Sequence, residues 1–285
     1  MSLTDLSTAL GTLETGTIEM WPSDAAATVR AGLQSGDPTL VERAVRLSWP
    51  VMDEEIAMEL LRLLESDAAP EVRAAAAIAF GPVLEDECLD DDWDPDGGRL
   101  GDHLGPRVLG RAQETLRRLF EDESQPKLVR RRALEASVRS PMDWQKDATG
   151  SIAGSDDEDW RVTALFCMGH LQGFEAQVLE AVRSASGDVR LQAVQAAGEL
   201  ELAAAGELVM ALAASDDTEE DLRVEAIYAV AGIRPDGGDD LLHALVEHEN
   251  DEIATAAEDA LDEYFMDVRD LDDAFDEDAV DEDED

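Results

Sequence analysis

The stretch that decides the fold reads Asp188-Val189-Arg190-Leu191-Gln192-Ala193-Val194-Gln195-Ala196-Ala197-Gly198-Glu199-Leu200. Its apolar side chains recur at helical spacing: Val189, Ala193, Ala197 and Leu200. This spacing predicts an amphipathic helix with one apolar stripe, and Asp188 is the predicted N-cap. A single helix cannot bury such a stripe alone, so we expect a neighbouring helix to cover it.

The same pattern, an apolar residue followed four positions later by alanine, returns along the chain and is called the anchor. It occurs at Leu40/Ala44, Val72/Ala76, Val129/Ala133, Trp160/Ala164, Val189/Ala193, Leu222/Ala226 and Ile253/Ala257. Successive anchors lie 29 to 33 residues apart, except for one gap of 57 residues. A repeated period of this length predicts a solenoid of stacked helical units, and the long gap predicts an insertion.

Arginine and glycine also recur at fixed places after the anchor. Arginine directly follows the anchor in five copies: Arg73, Arg130, Arg161, Arg190 and Arg223. Glycine comes nine or ten residues after it in four: Gly81, Gly169, Gly198 and Gly232. We predict that the arginines pair with aspartates of adjacent turns and form a structural ladder between repeats. Direct contact with a bound ligand is the alternative.

Second amphipathic segments lie between the anchors. They are Glu54 to Leu64, Phe174 to Val182, Ala203 to Leu212 and Leu241 to Val246. Acidic turns such as Ser215-Asp216-Asp217 close them, so each period reads as two helices with short connections, an αα-hairpin.

The repeat Gly-Asp-Val-Arg-x-x-Ala-x-x-Ala-x-Gly resembles the short HEAT-like repeat, which also occurs in phycobilin lyase subunits. The resemblance covers roughly residues 37–265. It implies an all-α, right-handed α-α superhelix of about six helical hairpins. It also implies that the anchored helices line a concave face and that this face binds other proteins.

Three segments follow from this pattern. Residues 1–36 form a divergent N-terminal helical cap, and residues 37–265 form the solenoid, with an acidic insertion at 85–102. Residues 266–285 form a disordered acidic tail, because twelve of the nineteen residues from Asp267 onward are Asp or Glu. A short helix that folds on binding is the alternative for the tail.

The composition is strongly acidic, with 22 Lys and Arg against 68 Asp and Glu and a net charge of −46. Such a surface repels nucleic acid and anionic membranes. The resemblance to HEAT-like repeats implies a protein partner, of unknown identity. Lysine scarcity and acid richness are typical of proteins from salt-loving organisms; capture of cations or basic proteins is the alternative. Two cysteines, no signal peptide and no transmembrane helix predict a cytoplasmic protein. We expect it to be a monomer.

Residues 99–139 reverse this charge, with ten basic and six acidic residues. Five arginines there are the candidate partner-binding residues: Arg107, Arg111, Arg118, Arg131 and Arg132. They either receive an acidic partner, a phosphorylated segment or, least expected, a nucleic-acid backbone, or they neutralise the acidic insertion and tail beside them.

The acidic insertion carries Asp90, Asp92, Asp94 and Asp96 at alternate positions. A calcium-binding loop needs glycine at its sixth position and glutamate at its twelfth. Counted from Asp90, these two positions are Pro95 and Gly101. A solvated loop is therefore predicted, with weak divalent binding as the alternative.

We predict no catalytic, cofactor-binding or metal-ligating residues. His248-Glu249 resembles one His-Glu motif of the deoxyhypusine hydroxylases, which are HEAT-like di-iron enzymes, but that family needs several such motifs. The predicted function is a non-catalytic scaffold or adaptor that binds a protein on the concave face, with residues 99–139 as a second contact surface. The alternative is an accessory subunit of a lyase-like or metal-dependent enzyme.

Overall fold

The computed structural model describes residues 2–86 and 104–277. Every regular element in these ranges is helical, as the sequence predicts. The chain divides into two compact units, unit 1 at Met1–Asp147 and unit 2 at Ala148–Asp285. The predicted acidic insertion lies outside the described residues from position 87 onward.

Unit 1 consists of two layers of helices. Its helices are α1 (Leu3–Thr15), α2 (Ala25–Leu33), α3 (Pro38–Arg46), α4 (Glu54–Leu64), α5 (Pro70–Ile78), α6 (Gly81–Asp86), α7 (Pro106–Glu121) and α8 (Lys127–Ser137). One layer contains α1, α3, α5 and α8, and the other contains α2, α4 and α7. The helix α9 (Asp143–Ala153) begins in unit 1 and ends in unit 2.

Unit 2 repeats the arrangement with greater regularity. Its helices are α10 (Glu158–His170), α11 (Glu175–Ser184), α12 (Gly187–Glu199), α13 (Gly206–Ala214), α14 (Glu220–Ile233), α15 (Gly238–Val246) and α16 (Asp251–Glu277). The anchored helices α10, α12, α14 and α16 pack side by side in a row, and α11, α13 and α15 pack against them. The predicted helical repeat is therefore confirmed.

All seven predicted anchors lie on helices, and their alanines form the centre of the packing. None of these alanines is more than 1% exposed: Ala44, Ala76, Ala133, Ala164, Ala193, Ala226 and Ala257. A small side chain at this position lets the next helix approach closely, which explains why alanine recurs there.

The helices that pack most closely belong to successive anchor-to-anchor periods, not to the same period. Each second helix packs most extensively against the anchored helix that follows it, as in α11 with α12, α13 with α14 and α15 with α16. The acidic turns are therefore the turns of the tightest hairpins. The apolar stripe reveals which side of a helix is buried, but it does not reveal which of two neighbours covers it.

Two glycines mark the closest approach of anchored helices in unit 2. A Cβ atom at Gly232 would lie 2.9 Å from the carbonyl oxygen of Gly198. A Cβ atom at Gly198 would lie 3.1 Å from Cα of Ala229. The backbones of α12 and α14 are thus in direct contact, and this contact requires residues without a side chain.

The structure differs from the sequence prediction at the start of α12. Its N-cap is Ser186, and Asp188 lies in the first turn. Asp188 is therefore not the N-cap, although its charge still complements the positive end of the helix dipole.

The last helix, α16, continues to Glu277, past the predicted boundary at residue 266. The described backbone of α16 thus includes residues 266–277 of the predicted acidic tail, and Leu271, Ala274 and Phe275 have helical spacing in the sequence. Residues 278–285 lie outside the described residues. Within residues 2–86 and 104–277, no helix combines the length and apolar character that a membrane span needs.

Candidate functional site

The recurring arginines bind the end of the preceding helix. In four of them, the Nε–H group donates a hydrogen bond to a main-chain carbonyl in the last turn of the helix immediately before the arginine's own helix. The pairs are Arg73 to Leu64 (3.0 Å), Arg130 to Phe120 (2.9 Å), Arg190 to Val182 (3.0 Å) and Arg223 to Ala213 (2.8 Å). These carbonyls have no partner within their own helix, and they lie at the negative end of its dipole. Each arginine thus caps one helix of a hairpin from the other helix.

The aspartate partner that the sequence analysis predicts is found at Arg223, whose Nη1 lies 2.7 Å from Oδ1 of Asp216. Arg73 donates instead to the side-chain oxygen of Gln125 at 2.7 Å. Arg161 donates through Nη1 to the carbonyl of Ser155 at 3.3 Å. The principal partner is therefore a carbonyl, because a helix end offers an acceptor in every repeat whereas the turn residues vary.

The basic segment is partly neutralised within unit 1. Arg111 and Arg118 on α7 both form ion pairs with Glu65, which follows the last residue of α4. Arg107 is exposed and has no ion-pair partner among the described residues. Exposed pairs of this kind stabilise a protein by at most about 1 kcal/mol, so a competing anion can displace them.

The other two candidate arginines lie on α8. Arg131 is buried, with 9% of its surface exposed, and is not part of the exposed surface. Arg132 forms an ion pair with the buried Glu135. The five arginines therefore do not form one exposed patch, because their positions on two helices give them different burial.

A different surface emerges in unit 2, and we call it the anchored-helix face. It consists of residues three, six and ten positions after the anchors of α12, α14 and α16, without the buried Ala256: Gln192, Gln195, Glu199, Glu225, Tyr228, Gly232, Asp259 and Glu263. Hydrogen bonds join its members along and between helices. Gln192 donates to Gln195 at 2.8 Å, and the hydroxyl of Tyr228 donates to Asp259 at 3.4 Å.

A cavity of about 350 Å³ opens on this face. Its polar lining comes from Gln195, Glu199, Glu225, Tyr228 and Glu263, and its floor from the glycines and alanine of the α12–α14 contact. No lysine or arginine is among the described residues that line it.

Burial and negative charge perturb two groups of this cavity. Burial raises the pKa of Glu225; a hydrogen bond from Gln195 opposes this shift, and the charge of Asp221 adds to it. Burial also raises the pKa of Tyr228, followed by the effect of the Asp259 charge. A cation beside these groups would favour their ionised forms and so oppose both shifts.

These residues are absent from the sequence prediction of candidate sites. No short motif contains them, because they come from three helices about thirty residues apart. Aligning the repeats on their anchors would have revealed that Glu225, Tyr228 and Asp259 share one side, but not that a cavity lies between them.

The histidines do not form a metal site in the described structure. Nδ1 of His248 accepts a bond from the main-chain N–H of Asn250 at 3.1 Å, and its Nε2 lies 3.3 Å from Asp216. No three His, Cys, Asp or Glu side chains within residues 2–86 and 104–277 are placed to hold a metal ion. His248 thus takes part in a turn between repeats.

Comparison with known proteins identifies the fold. No protein-family model matches the chain, and no curated protein matches its sequence. Among solved structures, the complex of CpcE and CpcF of phycocyanin lyase from Nostoc sp. PCC7120 is similar, with 15% identity and a TM-score of 0.53. The match covers 92% of this chain and 90% of that chain.

Two other similar structures belong to helical repeat proteins at lower TM-scores. Human deoxyhypusine hydroxylase in complex with glycerol is 17% identical, with a TM-score of 0.39, and the match covers 93% of this chain and 91% of that one. A designed armadillo repeat protein in complex with the peptide (KR)4 is 16% identical, with a TM-score of 0.38 and coverages of 84% and 99%. The chain has a HEAT/armadillo-like helical repeat fold.

Proposed function

We propose that this protein is a non-catalytic scaffold or adaptor that binds a protein partner through the anchored-helix face of unit 2. The observation that carries the proposal is the cavity at Tyr228, where an exposed aromatic ring and several carboxylates converge. The recurring arginines are already bound to helix ends within the chain. They support the fold, and the anchored-helix face is a surface of unit 2 that is open to a partner.

The fold is consistent with this function. HEAT/armadillo-like folds are typical of scaffolds that bind proteins or peptides. Stacked repeats present an extended surface built from equivalent positions of successive helices, which suits an extended partner. In this protein those positions carry polar and aromatic side chains in unit 2.

The basic segment provides the second contact surface of the proposal. Arg107 is exposed on α7 and has no ion-pair partner among the described residues. Arg111 and Arg118 both form ion pairs with Glu65 of the same unit. An acidic segment of the partner would pair with Arg107 directly and compete with Glu65 for the other two.

The test is photo-crosslinking from matched positions on the two sides of unit 2. A photoreactive residue replaces either Glu199 on the anchored-helix face or Glu207 on α13; both are exposed glutamates. In an extract of the source organism at its own ionic strength, we expect a discrete crosslinked protein from position 199. Equal yields from both positions, or a product from position 207 alone, would contradict the proposal.

Metal analysis tests the alternative of an accessory enzyme subunit. The protein is purified without added metal and its metal content is measured. Iron or zinc in stoichiometric amount would overturn the scaffold proposal, because a non-catalytic scaffold needs neither.

A further inference from the structure

The cavity on the anchored-helix face is built around an exposed aromatic ring. Tyr228 lies within α14 and is 36% exposed. It is the one large hydrophobic side chain of unit 2, among its described residues, that reaches this exposure. Because this ring lines the cavity and is partly exposed, a ligand that enters the cavity can contact it.

The second observation is the set of acceptors around the ring. Glu225 and Glu263 line the cavity on neighbouring helices, and neither has an ion-pair partner among the described residues. Glu225 is only partly exposed, so water solvates its charge incompletely. Its raised pKa follows from that burial. The carboxylate would be stabilised by a donor that brings a positive charge.

Size and geometry narrow the class of ligand. A volume of about 350 Å³ is near the lower end of the range for small-molecule pockets, and it suits one long side chain. A divalent metal ion needs several oxygen ligands converging on one point, and no such cluster is found in the described residues. A planar guanidinium, in contrast, stacks on a ring and donates several hydrogen bonds at its edge.

We propose that this cavity binds the guanidinium of an arginine from a basic segment of the partner protein. The guanidinium stacks on the ring of Tyr228 and donates to the carboxylates of Glu225 and Glu263. The inference rests on the proposed function, because it names the chemistry that the same face recognises.

The test uses the full chain and a short probe, acetyl-Gly-Arg-Gly amide. The two tyrosines are labelled with carbon-13, and the ring signal of Tyr228 is identified with the Tyr228→Phe variant. Salt is kept at roughly 0.5 M, so that non-specific attraction to an acidic protein is screened. We expect a saturable shift of the Tyr228 signal with this probe and none with acetyl-Gly-Gln-Gly amide.

Matched variants localise the binding. We expect Glu225→Gln to weaken probe binding about two- to fivefold, as for a partly exposed ion pair. The control Glu207→Gln, which removes one exposed charge on α13, should leave it unchanged. Tyr228→Leu keeps an apolar side chain but removes the ring, and it should weaken binding about two- to fivefold, read from saturation transfer to the probe. Circular dichroism verifies that each variant is folded.

Three results would overturn the inference: no saturable shift of Tyr228, equal shifts with the glutamine probe, or equal affinity for a lysine probe. Crosslinking from position 199 remains an independent measurement. If crosslinking succeeds and the probe fails, the guanidinium site is wrong while the proposed function stands. If both fail, the proposed function is wrong.

Discussion

Replacing Gly232 by alanine tests the contact on which the row of anchored helices depends. The new Cβ atom would lie 2.9 Å from the carbonyl oxygen of Gly198 on the neighbouring helix. Side-chain carbons do not approach backbone atoms so closely, so α12 or α14 has to move. Forcing one extra carbon into a packed contact costs about 1–3 kcal/mol.

Helix propensity favours alanine and so offsets part of the packing cost in Gly232→Ala. A control variant is needed to separate the two effects. In a helix interior, alanine is favoured over glycine by about 0.8–1.0 kcal/mol. Gly150 on α9 provides the control, because a Cβ atom there meets no atom within 4 Å. We expect Gly150→Ala to stabilise the protein and Gly232→Ala to destabilise it by about 1 kcal/mol. The gap between the two variants then measures the packing cost.

The assay is urea unfolding followed by circular dichroism at one fixed salt concentration. Midpoints are compared first, because repeat proteins depart from two-state unfolding more readily than small domains. If Gly232→Ala stabilised the protein as much as Gly150→Ala, the backbone contact between α12 and α14 would be refuted.

Three further predictions concern hydrogen bonding and charge. Arg223→Lys removes the Nε–H bond to Ala213 but keeps the charge, so we expect a loss of about 1 kcal/mol in urea unfolding; an unchanged midpoint would contradict the capping role. Hydrogen bonds from Gln125 and the adjoining turn lower the pKa of Asp122 to about 2, below its usual 3.8. Its contribution to stability is present above pH 3.8 and is lost as the pH falls to about 2, which a carbon-13 NMR titration checks; a measured pKa near 3.8 would argue against these bonds. Because burial raises the pKa of Glu225, its ionisation destabilises the fold, so Glu225→Gln should be more stable than the wild type at neutral pH. That advantage should shrink as the pH falls through the raised pKa; a pH-independent difference would contradict it.

The helices themselves were largely predictable from the sequence. The segment Glu54 to Leu64 is the helix α4, with the predicted bounds, and the anchor alanines are buried throughout. Both results depend on local spacing, which fixes the side of a helix that is buried. Pairing was less predictable, because hairpin packing depends on the connection between helices and on the capping arginine.

Side-chain environments were the least predictable feature. Arg131 and Arg132 are adjacent in the sequence, yet the first is buried and the second forms an ion pair with Glu135. A cluster of charged residues in the sequence does not show which of them lie on the buried side of a helix and which lie on its exposed side. The cavity at Tyr228 required three helices in contact, which no single stretch of sequence encodes.

The contact between Gly198 and Ala229 tests the row of anchored helices most directly. A Cβ atom at Gly198 would lie 3.4 Å from Cβ of Ala229, so the α-protons of this glycine lie close to that methyl group. In protein labelled selectively at glycine and alanine, we expect a nuclear Overhauser effect between the two residues, identified by its loss in Ala229→Gly. With both signals assigned, the absence of this effect would contradict the side-by-side row of anchored helices and the binding face built on it.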